Sequence, residues 1–266
     1  MNALDLELSA VGPTSEDLFL GGALTVRQPR KGYRAGIDAL LLAATVRPEM
    51  ANVGPVLDLG AGAGIVGLCV AVRCPAAQVV LIEREPHLVT LARHNIDRNG
   101  LSGRVSIVEA DISRATAALE CAGVASESFA TVLANPPYHE KDRSTAAGSR
   151  LKATSHQMPK DELDAWARFM CRMAAPGGRA SMIHKAEALP QILASFEGRF
   201  GNMTVLPIYA RAREPAIRVI VSGIKGSRAP LAIKPALVLH GPNQTFLPEV
   251  EAILRDGSPL APEYGV

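Results

Sequence analysis

The sequence predicts an α/β protein, a doubly wound and mostly parallel seven-stranded sheet preceded by a short hairpin and a helix. Three observations point there. Short apolar runs at residues 56–59, 78–82, 105–108 and 129–134 alternate with segments of helical length, the order that builds parallel sheets. A glycine loop, Gly60-Ala61-Gly62-Ala63-Gly64, joins the first run to an apolar segment of helical character, as in a nucleotide-binding βα unit. Polar residues Asp58, Glu83, Asp111 and Asn135 stand at the ends of four successive runs. In a parallel sheet those ends share one edge, and ligands bind at that edge.

Composition sets the frame. The chain has 266 residues, 48% hydrophobic and 20% charged, enough for one large domain or a domain with an appendage. Division into an extension, 1–50, and a main domain, 51–266, is expected. No apolar stretch has the length needed to span a bilayer, and the first residues lack the basic start and apolar centre of a signal peptide. Cys69, Cys74, Cys121 and Cys171 show no metal-type spacing and read as reduced thiols of a cytoplasmic protein. No metal site is expected. The net charge of +2 is unevenly placed. Nearly all Lys and Arg fall between residues 27 and 234, while the compensating acids gather toward the two ends, so the basic body admits a polyanionic partner.

In chain order, residues 1–17 read as irregular. Two apolar triplets flanking Gly21-Gly22 then signal a hairpin. Arg27, Arg30, Lys31, Tyr33 and Arg34 follow as the densest basic cluster, either a solvated loop or a contact for phosphates. Residues 37–46 read as a buried helix ended by Pro48, with Asp38 in the first turn, where a carboxylate suits the helix dipole.

The 56–59 strand delivers the glycine loop. Gly62-Ala63-Gly64-Ile65-Val66-Gly67 fits the dinucleotide pattern G-x-G-x-x-G. Yet Asp58, two residues before the first glycine, would repel a pyrophosphate and suits a ligand carrying ammonium and sulfonium charges. S-adenosylmethionine is therefore expected rather than NAD. Glu83, closing the 78–82 strand, suits both ribose hydroxyls. Asp111 either accepts the cofactor's adenine amino group or caps a helix starting near Ser113.

Residues 129–134 deliver Asn135-Pro136-Pro137-Tyr138. Neither proline has an N–H, and each restrains its predecessor to extended geometry. The segment should be stiff and should offer carbonyl acceptors, with Asn135 adding a carboxamide oxygen and Tyr138 an aromatic face. That set suits a planar amide or amidine bearing an –NH2 group. Accepting both N–H bonds favours a pyramidal nitrogen with its lone pair freed, which is stabilisation of a transition state. The bland alternative is a proline-stiffened turn.

The remainder reads as scaffold. Helices are expected at 161–173, with Trp166 packed, and at 189–200. Pro176-Gly177-Gly178 reads as a turn into a strand at 179–184, and 204–208 with 217–224 as an antiparallel pair. Arg211, Arg213, Glu214 and Arg218 form a second basic cluster at the turn between them, again either solvated or phosphate-facing.

The assembled pattern resembles a known family. Asp-Leu-Gly-Ala-Gly-Ala-Gly with a downstream Asn-Pro-Pro-Tyr resembles the class I, Rossmann-like methyltransferases that act on exocyclic or amide nitrogen. The stretch from Gly32 to Ala44 is similar to the lead-in of the bacterial tRNA1(Val) adenine-N6 methyltransferases, and Leu239-His240-Gly241-Pro242-Asn243-Gln244 to their closing segment. The resemblance covers roughly residues 19–254. It implies S-adenosylmethionine lined by Asp58, Gly60, Gly62, Gly64, Glu83, Asp111 and Asn135. It implies a target base held by Asn135, Pro136, Pro137 and Tyr138. The RNA, tRNA above all, would be gripped by Arg30, Lys31, Tyr33, Arg34, His139, Arg211 and Arg213. The basic loop 139–157 departs from that family. His139 after the tyrosine resembles guanine-N2 rRNA methyltransferases, which usually carry Phe in place of Tyr138. Asn-Pro-Pro-Tyr also marks enzymes methylating a glutamine of release factors. A non-catalytic module holding cofactor or RNA is the third reading.

Overall fold

The computed structural model describes residues 11–30, 34–112, 119, 121–138 and 160–265, with the side chains of Lys160 and Asp161 left aside. Lys31, Tyr33, His139, the basic loop 139–157 and the segment at Ser113 lie outside the described residues.

Among the described residues the chain opens with a hairpin of β1 (Thr14–Phe19) and β2 (Leu24–Pro29), paired antiparallel. The hairpin is longer than the glycines alone indicated, and Thr14–Asp17, expected to be irregular, belong to its first strand. Helix α1 (Ile37–Ala43) follows, and Pro48 opens a separate short helix, α2 (Pro48–Ala51). A proline lacks only a donor that the first helical turn leaves unpaired anyway, so it starts helices as readily as it ends them.

The main body alternates as expected: β3 (Val56–Leu59), α3 (Ile65–Arg73), β4 (Val79–Glu83), α4 (Pro86–Arg98), β5 (Val105–Glu109), β6 (Phe129–Ala134), α5 (Lys160–Met173), β7 (Ala174–Lys185), α6 (Leu189–Phe196), β8 (Phe200–Arg211) and β9 (Ala216–Lys225). Pro176-Gly177-Gly178 is a bulge within β7 rather than a separate turn, because β7 pairs with β6 on both sides of a register shift.

Among the described residues the sheet has nine strands, not seven. Its order runs β8, β9, β7, β6, β3, β4, β5, with β10 (Ala232–Ile233) and β11 (Leu237–His240) both lying parallel along the outer side of β8. The two short strands act as one interrupted strand. They satisfy the outer backbone groups of β8, which would otherwise form an open edge.

Strand alternation sends successive side chains to opposite faces. Leu57 and Leu59 pack with α5 and α6 on one face, and Val56 packs with α1, α3 and α4 on the other. The hairpin joins this second core through Leu20, Leu24 and Val26. Two asparagines, Asn95 on α4 and Asn99 capping its C-terminus, dock it. Asn95 accepts the Arg27 N–H at 2.8 Å and donates to the Arg27 carbonyl at 3.0 Å, and Asn99 does the same for Thr25 at 3.0 and 2.8 Å. The chain's other end closes the same face. Arg73, at the end of α3, is largely buried and donates to the carbonyls of Ala43, Val46 (3.3 Å) and Gly257 (2.6 Å). Burial lowers its pKa, with nearby cysteines opposing. The Leu260 N–H reaches the Ala44 carbonyl at 2.9 Å.

Candidate active site

The strand order reverses between β3 and β6, with β4 on one side of β3 and β6 on the other. A crevice opens at the carboxyl ends of strands that diverge this way. A cavity of about 490 Å³ fills it, lined by Gly60, Gly62, Glu83, Asp111, Asn135 and Trp166 among others. That volume is typical of a small-molecule site.

The glycine loop is held by hydrogen bonds from beneath and by packing from above. Glu83 Oε2 accepts the Gly62 N–H at 2.8 Å, and Oε1 accepts the N–H groups of Arg84 and Glu85 at 2.8 and 2.9 Å. Gly60 turns with φ +67°, and a Cβ there would stand 2.3 Å from Trp166 Cη2. The indole therefore lies directly on the loop and forms part of the cavity wall.

Asp58 was expected to face the ligand. It points instead to the α3 side of the sheet, where Oδ2 accepts the Gly67 N–H at 2.8 Å, and it is not among the lining residues. Alternation along β3 explains this, because only the loop that follows, and not the strand's own side chains, reaches the crevice. Burial pushes the Asp58 carboxyl up to about 7, against the opposing hydrogen bond from Gly67. Gly64 likewise lies behind the cavity, beginning α3 with φ +93°.

The lining remains acidic without Asp58. Glu83, Glu85, Asp111 and Glu162 contribute carboxylates, while the single guanidinium among the described lining residues, Arg84, pairs with Glu85 at 3.1 Å. Such a surface disfavours a pyrophosphate and favours a ligand carrying positive charge.

Asn135 and Pro137 border the cavity directly above β6. Tyr138 stands just behind them. Its hydroxyl lies 2.9 Å from Asp38 Oδ2 and 3.2 Å from Asn135 Oδ1. Arg218 lies over its ring at 4.9 Å from the centroid, and His184 packs edge-on at 4.8 Å. Asp38 and Arg218 also form an ion pair at 2.8 Å. Burial lowers the His184 pKa to about 4, leaving a neutral imidazole at neutral pH.

The basic residues divide. Arg30 donates to the Thr14 carbonyl at 2.8 Å, and Arg34 to Asp17 at 2.7 Å, so both brace the hairpin. Arg211, the last residue of β8, and Arg213, in the turn joining β8 to β9, are both exposed, the former paired with Glu214 at 3.4 Å. That turn lies at the same sheet edge as Asn135, since β8 runs parallel to β6.

Sequence reasoning missed three participants. Asp38 was read as a helix-dipole partner and Arg218 as a turn cation, although Asp38 lies inside the stretch that carried the family resemblance. Trp166 is packed, as expected, but packed against the cavity. Among the described residues no group of three or more His, Cys, Asp or Glu is placed to hold a metal, and no helix is long and apolar enough to cross a membrane.

Comparison with known proteins places this geometry. The model of the methyltransferase small domain matches residues 35–162. The chain is 29% identical over 229 residues to a protein of Shewanella sp. named tRNA1(Val) (adenine(37)-N6)-methyltransferase, covering 85% of this chain and 86% of that one. A protein of the same name from Glaesserella parasuis is 26% identical over 160 residues, with 60% of this chain and 63% of that one aligned. Among solved structures, Atu636 from Agrobacterium tumefaciens, described as a predicted O-methyltransferase, is 31% identical with a TM-score of 0.66 over 81% of this chain and 94% of that one.

Proposed function

We propose that this chain, which belongs to the S-adenosylmethionine-dependent methyltransferases, methylates the exocyclic N6 of an adenine in tRNA near the anticodon, working in the cytoplasm. The observation that carries the reading is the juxtaposition of the acidic cavity with Asn135 at the reversal of strand order. The names carried by the Shewanella and Glaesserella relatives favour adenine over guanine or glutamine as the acceptor. Residues 51–266 form the catalytic unit in this reading, and 1–50 an extension packed on it.

The residues fit the cofactor. Glu83 lines the cavity and keeps one Oε2 acceptor position beyond its three backbone bonds for a ribose hydroxyl, Asp111 suits the adenine end, and Trp166 closes the wall over Gly60. Bound there, S-adenosylmethionine supplies a methyl group on positively charged sulfur, a leaving group that needs no metal. Asn135 Oδ1 and the Pro136 carbonyl accept the two amino hydrogens of the target. The N6 lone pair would thereby be freed to take the methyl group as the sulfonium left as a neutral thioether, and the methylated amine would shed one proton to water. A base stacked in a duplex cannot enter, so an unpaired or flipped adenine is required.

Incubation with labelled S-adenosylmethionine and separate pools of tRNA, rRNA and release factor, followed by nucleoside and peptide analysis, tests the proposal. N6-methyladenosine in tRNA is expected. N2-methylguanosine in rRNA, or methylglutamine in a release factor, would overturn the assignment.

A further inference from the structure

An aromatic pair stands at the sheet edge that carries Asn135. Strands β6, β7, β8 and β11 run in one direction, so His240, the last residue of β11, ends at the same edge as the Asn135 turn. His240 bridges to Phe246 across a tight turn. The Gly241 N–H to the Thr245 carbonyl and the Leu247 N–H to the Leu239 carbonyl, both 2.9 Å, close that turn. The two rings stack, with centroids 4.7 Å apart and planes at 26°. His240 Nδ1–H donates to the Ala210 carbonyl of β8 at 3.1 Å, which holds the imidazole in place. Phe246 is 36% exposed, and among the described residues it is the one Phe, Tyr or Trp that is neither buried nor half-buried. Cations stand beside it. His240 lies opposite Arg211 in the β8 register, and Arg213 follows in the turn, with Glu214 offsetting one of the two charges.

We propose that the His240–Phe246 pair is a stacking platform for an unpaired base of the RNA substrate, a second subsite apart from the one for the target base. Unpaired bases in RNA are gripped by stacking on aromatic side chains, and every base offers a π-face. A ring held rigid by its own turn and its stacked neighbour loses little freedom when a base arrives. Arg211 and Arg213 neutralise phosphates of the same strand, which selects a polyanion with open rings over an apolar protein surface. Strand β11 lies four strands from β6, about 19 Å at the usual spacing. The base on the platform is therefore not the target but another one along the same RNA. The inference rests on the reading above that the substrate is RNA.

The test measures Kd and KM for tRNA and rRNA pools over a range of salt, for Phe246→Ala, Phe246→Leu and Phe246→Trp. S-adenosylmethionine affinity, melting temperature and oligomeric state are the controls. Phe246→Ala should raise Kd for the RNA that the parent binds about fivefold to a hundredfold, the scale of one stacked base, and KM with it. Its plot of log Kd against log salt should stay parallel to the parent's, because stacking releases no counterions. Phe246→Leu keeps apolar bulk without a π-face and should bind as weakly as Phe246→Ala, whereas Phe246→Trp should bind at least as well as the parent. Parental affinity in Phe246→Ala or in Phe246→Leu overturns the platform. A shallower salt slope overturns it too, since the loss would then lie in phosphate contacts. So does a changed oligomeric state with RNA binding intact, which would make the ring a contact between copies. If Phe246→Ala fails to fold, Phe246→Leu against Phe246→Trp carries the same comparison. A parent that binds neither RNA and methylates a release factor refutes the RNA reading itself, whereas a parent that binds RNA beside an unimpaired Phe246→Ala refutes only the platform.

Discussion

The Asn95 side chain pairs with the backbone of Arg27 through both its amide oxygen and its amide nitrogen, as a neighbouring strand would. Its nitrogen also reaches the carbonyl of Ala63 at 2.9 Å, inside the glycine loop. One buried carboxamide thus fastens the N-terminal hairpin to the cofactor loop. Asn95→Ala should cost about 2–4 kcal/mol, since it strands several buried backbone groups. Chemical denaturation measures this, and a loss under about 0.5 kcal/mol would show that water replaces the amide.

Glu83 holds the loop and lines the cavity at once. Glu83→Ala should weaken S-adenosylmethionine binding by about 1.5–3 kcal/mol by calorimetry, the scale of a hydrogen bond to a charged group. An unchanged affinity would remove Glu83 from the site.

Trp166 is the one tryptophan of the chain, so its fluorescence reports on the cavity without labelling. Cofactor addition should change its emission in a saturable way. Gly60→Ala places a methyl group against the indole at a backbone angle that L-residues resist. The variant should shift the emission before any ligand is added and lose cofactor binding. A variant with parental emission and affinity would show that the loop and the indole part at little cost.

Asp58 and His184 give the cofactor-free fold opposite responses to pH. The folded protein keeps the Asp58 proton up to about pH 7, whereas the unfolded chain releases it near 3.8. That contribution is full at low pH and is lost as pH rises through about 7. His184 is held neutral down to about pH 4, whereas the unfolded chain protonates near 6.5. Its contribution is full above 6.5 and is lost as pH falls toward about 4. Each slope runs at up to about 1.4 kcal/mol per pH unit. Relative to the parent, Asp58→Asn should therefore gain stability as pH rises from about 4 to about 7. His184→Phe should lose stability relative to the parent as pH rises from about 4 to about 6.5. Plots of stability against pH that stay parallel to the parent for both variants would contradict the two burial effects.

Arg211 and Arg213 project from the edge that carries Asn135. Neutralising both should reduce the slope of log affinity for tRNA against log salt by about one unit for each phosphate no longer neutralised. An unchanged slope would make the turn a solvated one.

Much of this was legible in the sequence because it is local. The alternation of apolar runs and the glycine loop fix their own geometry over a few residues, and Asn135 needs only its strand to reach the edge. Asp58 misled because residue order places it beside the loop, while strand alternation turns its side chain away. Asp38 was illegible for another reason. Its partners, Tyr138 and Arg218, lie 100 and 180 residues further along, and nothing in a helix-start acid announces them. The two extra strands were equally hidden, since a two-residue strand such as Ala232–Ile233 has no periodicity to read.

Arg73 has a timetable. Its partners Ala43 and Val46 precede it, but Gly257 lies 184 residues downstream. At ribosomal speeds of about 5–20 residues per second, the guanidinium waits roughly 10–40 s for its last carbonyl. Through that interval the nascent chain carries a cation destined for burial whose site is still open on one side. The C-terminal segment is thus the keystone of synthesis, and a chain released early would expose the helical face that Arg73 and Leu260 seal.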